Sequence, residues 1–190
     1  NFLLATTNGD QELITFLGRA AGYSLTGNTG EEKLFFVHGP TATGKSTFVE
    51  SIKATLGDYA ATANFETFLR KQGGGGHSED IARLAGRRFI TSIEVQEGRK
   101  LAEALVKQMT GGDTVAARKL YQATVEYKPQ FKLWLCANDY PRVRDDDDAI
   151  WRRILLVPFT NVVPEGKRDD KVKATLLTAP EARSAVLAWA

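Results

Sequence analysis

Eight consecutive residues, Gly39-Pro40-Thr41-Ala42-Thr43-Gly44-Lys45-Ser46, carry the spacing G-x-x-x-x-G-K-[S/T]. That spacing suits the holding of phosphates. Glycines let successive backbone N–H groups turn inward around anionic oxygens, and a helix starting at the same place adds partial positive charge. The flanks agree with this chemistry: Leu34-Phe35-Phe36-Val37 is an apolar run that reads as a buried strand, and Phe48, Val49, Ile52 and Leu56 recur at helical spacing. Gly39, Pro40, Thr41, Ala42, Thr43, Gly44, Lys45, Ser46 and Thr47 are therefore the expected contacts of ATP. Lys45 would reach the β- and γ-phosphates, and the Ser46 hydroxyl would sit on Mg²⁺.

Hydrolysis needs more than a phosphate cradle, because one water must be oriented in line with the γ-phosphate while charge builds on it. Glu94 closes the apolar run Arg88-Phe89-Ile90-Thr91-Ser92-Ile93 and is the expected carboxylate for the metal and the water, with Glu97 a second candidate. Asn138 closes a further apolar run from Phe131. Its amide can contact both the γ-phosphate and the water; the alternative is an Asx turn into Asp139-Tyr140-Pro141. Arg152 and Arg153 follow the acidic run Asp145 to Asp148. They are either salt-bridge partners or the source of an arginine that stabilises the transferring phosphoryl group, which in ring ATPases comes from a neighbouring subunit.

Composition narrows the setting. Lys and Arg total 25 against 23 Asp and Glu, so any nucleic-acid contact must be local rather than the work of a global basic field. The single Cys136 cannot form an intrachain disulfide, which fits a reducing compartment, and two histidines make a structural zinc site an unpromising reading. No apolar run approaches the roughly twenty residues that span a bilayer, and no basic leader precedes an apolar signal core. The expectation is a soluble cytoplasmic protein with no membrane partner.

The elements needed to position these residues are legible from periodicity. Leu13, Phe16, Leu17 and Ala20 share one face of a helix over residues 11–22, ending near Gly22. Residues 65–70 read as a short helical segment, Gly73 to Gly76 as a connector or a ligand-closing loop, and Ser78 with Asp80 as the start of a helix through Ala85. Leu101, Ala104, Leu105 and Met109 form the next helical face, stopped by Gly111-Gly112. Thr114 to Arg118 and Thr124 to Tyr127 read as a hairpin, Ile154 to Val157 as the fourth core strand, and Thr178-Ala179-Pro180-Glu181 as a capping box opening a last helix. Strands alternating with helices predict an α/β fold: a three-layer phosphate-loop core, a mainly parallel central sheet, an inserted β-hairpin and helical flanks. The expected division is a helical lead over 1–30 that serves oligomerisation, an ATPase core over 31–162 and a helical segment over 163–190. The uncapped end at Ala190 suggests a fragment of something longer.

In order and spacing, Gly39 to Ser46, Arg88 to Glu94, Lys107-Gln108-Met109-Thr110-Gly111-Gly112-Asp113 with Arg118, Phe131 to Asn138 and Ala149 to Phe159 resemble the superfamily 3 helicases. The likeness is to the helicase part of the phage and plasmid primase-helicase family, and it spans nearly the whole chain from Asp10. It implies a modified AAA+ core that forms a hexameric ring and moves along single-stranded DNA, typically 3′ to 5′, with ATP and Mg²⁺, at a replication fork and beside a primase domain elsewhere in the full-length chain. It implies a DNA contact at Lys107, a sensor at Asn138 and a trans-acting arginine at Arg152 or Arg153. One departure is that Val95 and Gln96, not a second carboxylate, follow Glu94. The hairpin adds Arg118, Lys119 and Tyr121, cations to track phosphates and a ring to stack on a base. Two alternatives compete: an ATPase acting on something other than DNA, and a non-catalytic assembly module controlled by ATP.

Overall fold

The computed structural model describes residues 2–70, 78–93, 100–118, 122–143 and 148–190. Its centre is a sheet of five parallel strands, β1 (Leu34–His38), β2 (Ala60–Thr62), β3 (Phe89–Ile93), β6 (Lys132–Ala137) and β7 (Ile154–Pro158), in the order β2-β3-β6-β1-β7. A separate antiparallel pair, β4 (Val115–Arg118) and β5 (Thr124–Tyr127), forms the inserted hairpin.

Alternation along the central strands divides the core into two apolar layers. Leu34 and Phe36 of β1, with Leu133, Leu135 and Ala137 of β6, face one cluster; Phe35, Val37, Trp134 and Cys136 face the other. The second layer receives α2 (Gln11–Leu25) and α3 (Lys45–Leu56) through Leu17, Ala20, Phe48, Val49 and Ile52. The first receives α5 (Glu103–Thr110) through Val106 and Met109, and α6 (Asp148–Trp151) through Ile150. Helices on both faces of a parallel sheet give the expected three-layer α/β fold, and the predicted helical lead packs beside its core. Trp134 is the hub of the α3 layer: it is fully buried, stacks on Phe35 at 4.3 Å and donates its indole N–H to Ser24 Oγ at 3.0 Å.

Several predicted boundaries moved. The helix expected to end near Gly22 runs on to Leu25, because Gly22 serves close packing there: a Cβ would lie 2.2 Å from the Ala190 carbonyl oxygen. The segment after Asn64 is a single 3₁₀ turn, Phe65–Phe68, and the helix from Ser78 (α4) stops at Ala82 rather than Ala85. Leu101 precedes its helix and pairs in a bridge instead. The capping box at Thr178 is not formed, since Thr178 ends α7 (Asp170–Thr178) and bonds back to Ala174. Ala179 then precedes α8 (Pro180–Trp189), with Pro180 in its first turn. β2 and α6 were not anticipated, and α1 (Phe2–Thr6) and α7 fall within the expected helical lead and C-terminal helical segment without having been distinguished as separate helices; most are too short or too sparsely apolar to show a period. The Gly73 to Gly76 run lies outside the described residues.

Two cations fasten the C-terminal end of α2 to the bottom of the sheet. Lys132, opening β6, is buried; its ammonium donates to Thr26 O at 2.5 Å and Asn28 O at 3.0 Å and lies 4.5 Å from the Tyr23 ring. Arg88 donates to Leu25 O at 3.0 Å and stacks over Tyr59 at 4.3 Å. Cations suit this end of a helix, where carbonyls are left over. Burial first, and Arg88 second, push the Lys132 ammonium down to about 8 from 10.5. Between those values the unfolded chain holds more protons than the folded one, so this residue's contribution becomes more favourable as pH rises from about 8 to 10.5, and its cost is fully present below 8. Urea unfolding of the native protein and Lys132→Met at about pH 7.5 and about pH 10 should therefore show the difference between them shifting toward the native protein at the higher pH. An identical difference at both would contradict this account of the buried amine.

A phosphate-loop cavity as the candidate active site

The loop from Gly39 to Gly44 leaves the C-terminal end of β1 and enters α3 at Lys45, as its sequence context predicts. Its start is fixed from both sides. Gly39 N–H donates to Asn138 O at 3.3 Å, Phe159 N–H donates to His38 O at 2.8 Å, and a Cβ on Gly39 would sit 1.9 Å from Phe159 O. Only glycine fits there, with φ +141°. At the other end Gly44 has φ +90° and is covered by α1: a Cβ would meet Thr6 Cγ2 at 2.5 Å and the Phe2 ring at 3.2 Å. Between them Ala42 holds φ +61°, a left-handed conformation costing an L-residue about 1–2 kcal/mol, and its carbonyl accepts from Val163 N–H at 3.0 Å.

The loop encloses a cavity of about 250 Å³ lined by Thr41 to Thr47 together with Ile93, Cys136, Ala137 and Asn138. Lys45 is buried and curls back toward the loop entrance, donating to Gly39 O and Pro40 O at 2.5 Å each and reaching Thr43 Oγ1 at 3.4 Å. These acceptors satisfy its three donors. Burial lowers the Lys45 pKa, and the neighbouring Cys136 opposes that shift. His38, buried at the end of β1 with its ring tilted against that of Tyr140 at 4.4 Å, is also held below its usual pKa, by burial and then by Lys45. The Cys136 thiol is pushed up to about 12 by burial, which keeps it protonated and inert at neutral pH. The cavity thus holds one cation, Lys45, inside a loop of small residues, with the hydroxyls of Thr41, Thr43, Ser46 and Thr47 among its lining residues and no described carboxylate there. Its donor set fits the phosphates of a nucleotide. Ser46, in the first turn of α3, offers a hydroxyl to a cation beside them, and among the described residues no trio of His, Cys, Asp or Glu converges as a metal cage of its own.

Of the residues singled out from the sequence, Thr41 to Thr47 and Asn138 line this cavity, while Gly39 and Pro40 stand at the loop entrance, where their carbonyls accept from Lys45. Glu94 and Glu97 lie outside the described residues; Ile93, immediately before Glu94, lines the cavity. Arg152 and Arg153 are elsewhere. They precede β7, whose first residue pairs with Leu34, so they lie at the opposite edge of the sheet, roughly 13 Å of strand away from the loop. Their environments differ. Arg153 pairs with Glu32 at 2.7 Å, donates to Ala149 O at 2.9 Å and leaves a buried Nε without a partner. Arg152 is exposed beside Asp148 and Trp151.

Lys107 is half-buried on α5. Arg118 ends β4, donating from Nε to Gln122 O at 2.9 Å across the hairpin turn, while its N–H donates to Ser78 Oγ at 2.5 Å. It braces the hairpin against α4, as does the Tyr127 hydroxyl bonded to Ile81 O at 2.7 Å. Lys119 and Tyr121 lie outside the described residues. Sequence reasoning missed the contact of α1 with Gly44 and the cavity floor of Ile93, Cys136 and Ala137. The floor follows from placing β6 beside β1 and β3 beyond it, next to β6, a topology that strand order along the chain does not announce.

The chain belongs to a family described as a family of unknown function (DUF5906), whose profile matches residues 37–153. It is 31% identical over 160 residues to "Putative helicase L207/L206" of Acanthamoeba polyphaga mimivirus, covering 84% of this chain and 17% of that protein. It is 33% identical over 194 residues to "Putative helicase 022R" of Frog virus 3 (isolate Goorha), covering 92% of this chain and 20% of that protein. The chain therefore spans about a fifth of the length of these relatives or less. Among solved structures, the apo A form of the NrS-1 C-terminal region superposes with a TM-score of 0.70 at 17% identity, covering 99% of this chain and 44% of the other, which shows a shared fold.

Lys45→Ala removes the cavity's cation, and loss of charged hydrogen bonds to phosphate should weaken binding of a non-hydrolysable ATP analogue about ten- to a hundredfold. Calorimetric titration measures this. Unchanged affinity would show that the cavity is not where the triphosphate sits.

Proposed function

We propose that this chain is the ATP-hydrolysing motor of a DNA helicase of the superfamily 3 type, working as a hexameric ring on single-stranded DNA in the replication of a phage, plasmid or virus. The observation that carries the proposal is the convergence of the phosphate loop, the end of β3 and Asn138 on one cavity, with the arginine pair at the opposite sheet edge. The names of the viral relatives support a helicase reading. In this reading Lys45 neutralises the β- and γ-phosphates, Asn138 orients the attacking water against the γ-phosphate, and Glu94, or Glu97 three residues on, accepts the water's proton. The Ser46 hydroxyl and the Glu94 carboxylate would hold Mg²⁺, which would supply Lewis-acid charge at the phosphoryl oxygens.

An arginine at the far edge of the sheet cannot serve its own loop across the strand length, but it can serve a neighbour's. Arg153 is committed to Glu32, so Arg152 is the better donor to an adjacent subunit. Lys107 and the hairpin, braced by Arg118, would engage the DNA in the ring channel, and Lys119 and Tyr121, which lie between β4 and β5 in the sequence, would add a cation and a ring. A primase domain and the cytoplasm of the infected or host cell complete the proposed setting.

Single-stranded DNA should raise ATP turnover several-fold, which separates this motor from an ATPase acting elsewhere; no stimulation in a confirmed ring would favour the latter. Glu94→Gln should bind ATP yet lose most hydrolysis, whereas an ATP-controlled assembly module would keep its function. For the shared site, Lys45→Ala and Arg152→Ala subunits should each be nearly inactive and regain turnover when mixed, since removing such an arginine costs ~10³ or more in rate. Co-assembled mixtures no more active than the two alone would refute a trans role for Arg152.

A further inference from the structure

Three segments leaving the C-terminal ends of β2, β3 and β6 meet beyond the sheet. Leu69 pairs with Leu101 in an antiparallel bridge and Lys100 with Arg142 in a parallel one. Arg70 N–H donates to Lys100 O at 2.8 Å, and Leu101 N–H to Arg142 O at 2.9 Å. Side chains alternate across such pairings. One row is Leu69, Leu101 and Val143, all buried in the core. The other is Arg70, Lys100 and Arg142, all exposed. A slip of one residue would exchange the rows, so burial of the apolar row fixes the cations on the outside.

Cross-strand neighbours on one face lie about 4.5–5.5 Å apart at Cβ, and like charges directly opposite are unfavourable. Yet among the described residues none of these three forms an ion pair or a side-chain hydrogen bond. A chain with a formal net charge of only +2 has gathered in one row three cations with no ion pair among the described residues, from parts of the sequence about thirty and forty residues apart. The row follows the strand ends at the same edge as the phosphate loop, and Arg142 sits on the loop that begins with Asn138.

We propose that Arg70, Lys100 and Arg142 form a binding site for the phosphodiester backbone of a single nucleic-acid strand, separate from the β4–β5 hairpin. An exposed row suits successive phosphates of a polyanion. It lacks an enclosing loop of the kind that would surround a compact triphosphate at Thr41 to Thr47. Because Arg142 and Asn138 share a loop, a strand gripped here is mechanically tied to the group that faces the γ-phosphate. The proposal rests on the DNA-motor reading above.

The test compares the native chain with Arg70→Gln/Lys100→Gln/Arg142→Gln by anisotropy of a labelled oligothymidylate across a salt series. Three lost phosphate contacts should weaken binding about a hundredfold near 0.1 M salt and lower the slope of log K against log salt by about two. Affinity for a fluorescent ATP analogue should stay unchanged, and the charge-preserving Arg70→Lys/Lys100→Arg/Arg142→Lys should retain DNA binding. If the triple variant fails to fold, Arg142→Gln alone should lower the slope by about 0.7. Native affinity and slope in the neutral variants would overturn this site while leaving the motor reading intact. Absence of DNA binding by the native chain would overturn both. Parallel loss of ATP-analogue affinity would assign the row to a triphosphate and overturn it as a strand site.

Discussion

The position of Gly39 is the constraint on which the rest of the site depends. It is held between the backbones of Asn138 and Phe159, the residues that follow β6 and β7. β1 can release its loop at that point only because both neighbouring strands run parallel to it and end at the same level. The same pairing sets Asn138 beside the loop and sends the residues before β7 to the opposite edge. One steric requirement, a residue with no Cβ at a three-strand junction, therefore fixes the relative positions of the candidate phosphate loop, Asn138 beside it and the arginines at the far edge.

The α-helical layer under Trp134 makes that junction rigid. Phe48 of α3 packs against Trp134, Phe159 and Trp189, so the helix that receives the loop is locked to the sheet, to the segment after β7 and to α8 by one ring cluster. α1 closes the loop from outside through Phe2 and Thr6. Lys45, curled onto Gly39 O and Pro40 O, has acceptors that compensate its burial. Phosphate oxygens would offer it stronger, charged acceptors, so binding exchanges one satisfied arrangement for another rather than exposing an orphaned amine.

Much of this was legible in the sequence where a period or a motif is strong. The phosphate loop, the strands at Leu34, Phe89, Phe131 and Ile154 and the helical face of Leu13, Phe16, Leu17 and Ala20 all carry enough apolar side chains to announce themselves. β2 did not, because Ala60, Ala61 and Thr62 are small and one of them is exposed. Gly22 misled because a glycine in sequence reads as a stop, whereas here it admits the Ala190 carbonyl. Thr178 misled because a serine-like cap and a helix end share the same residue types. The difference between Arg152 and Arg153 was hidden for another reason: Glu32, which claims Arg153, is 121 residues away in the chain. The row of Arg70, Lys100 and Arg142 is equally invisible in sequence, since it exists only through long-range pairing.

Two patterns of charge therefore organise the molecule: an enclosed cation at the loop and exposed cations at the strand ends and the far sheet edge. If ATP turnover at the first drives movement of a nucleic acid along the second, strand separation must consume hydrolysable nucleotide. The most direct measurement is displacement of a labelled strand from a forked DNA duplex by the assembled chain. The account predicts displacement with ATP and Mg²⁺ and none with a non-hydrolysable analogue. Equal displacement with both, or none with ATP from an assembly that binds the fork and hydrolyses ATP, would contradict it.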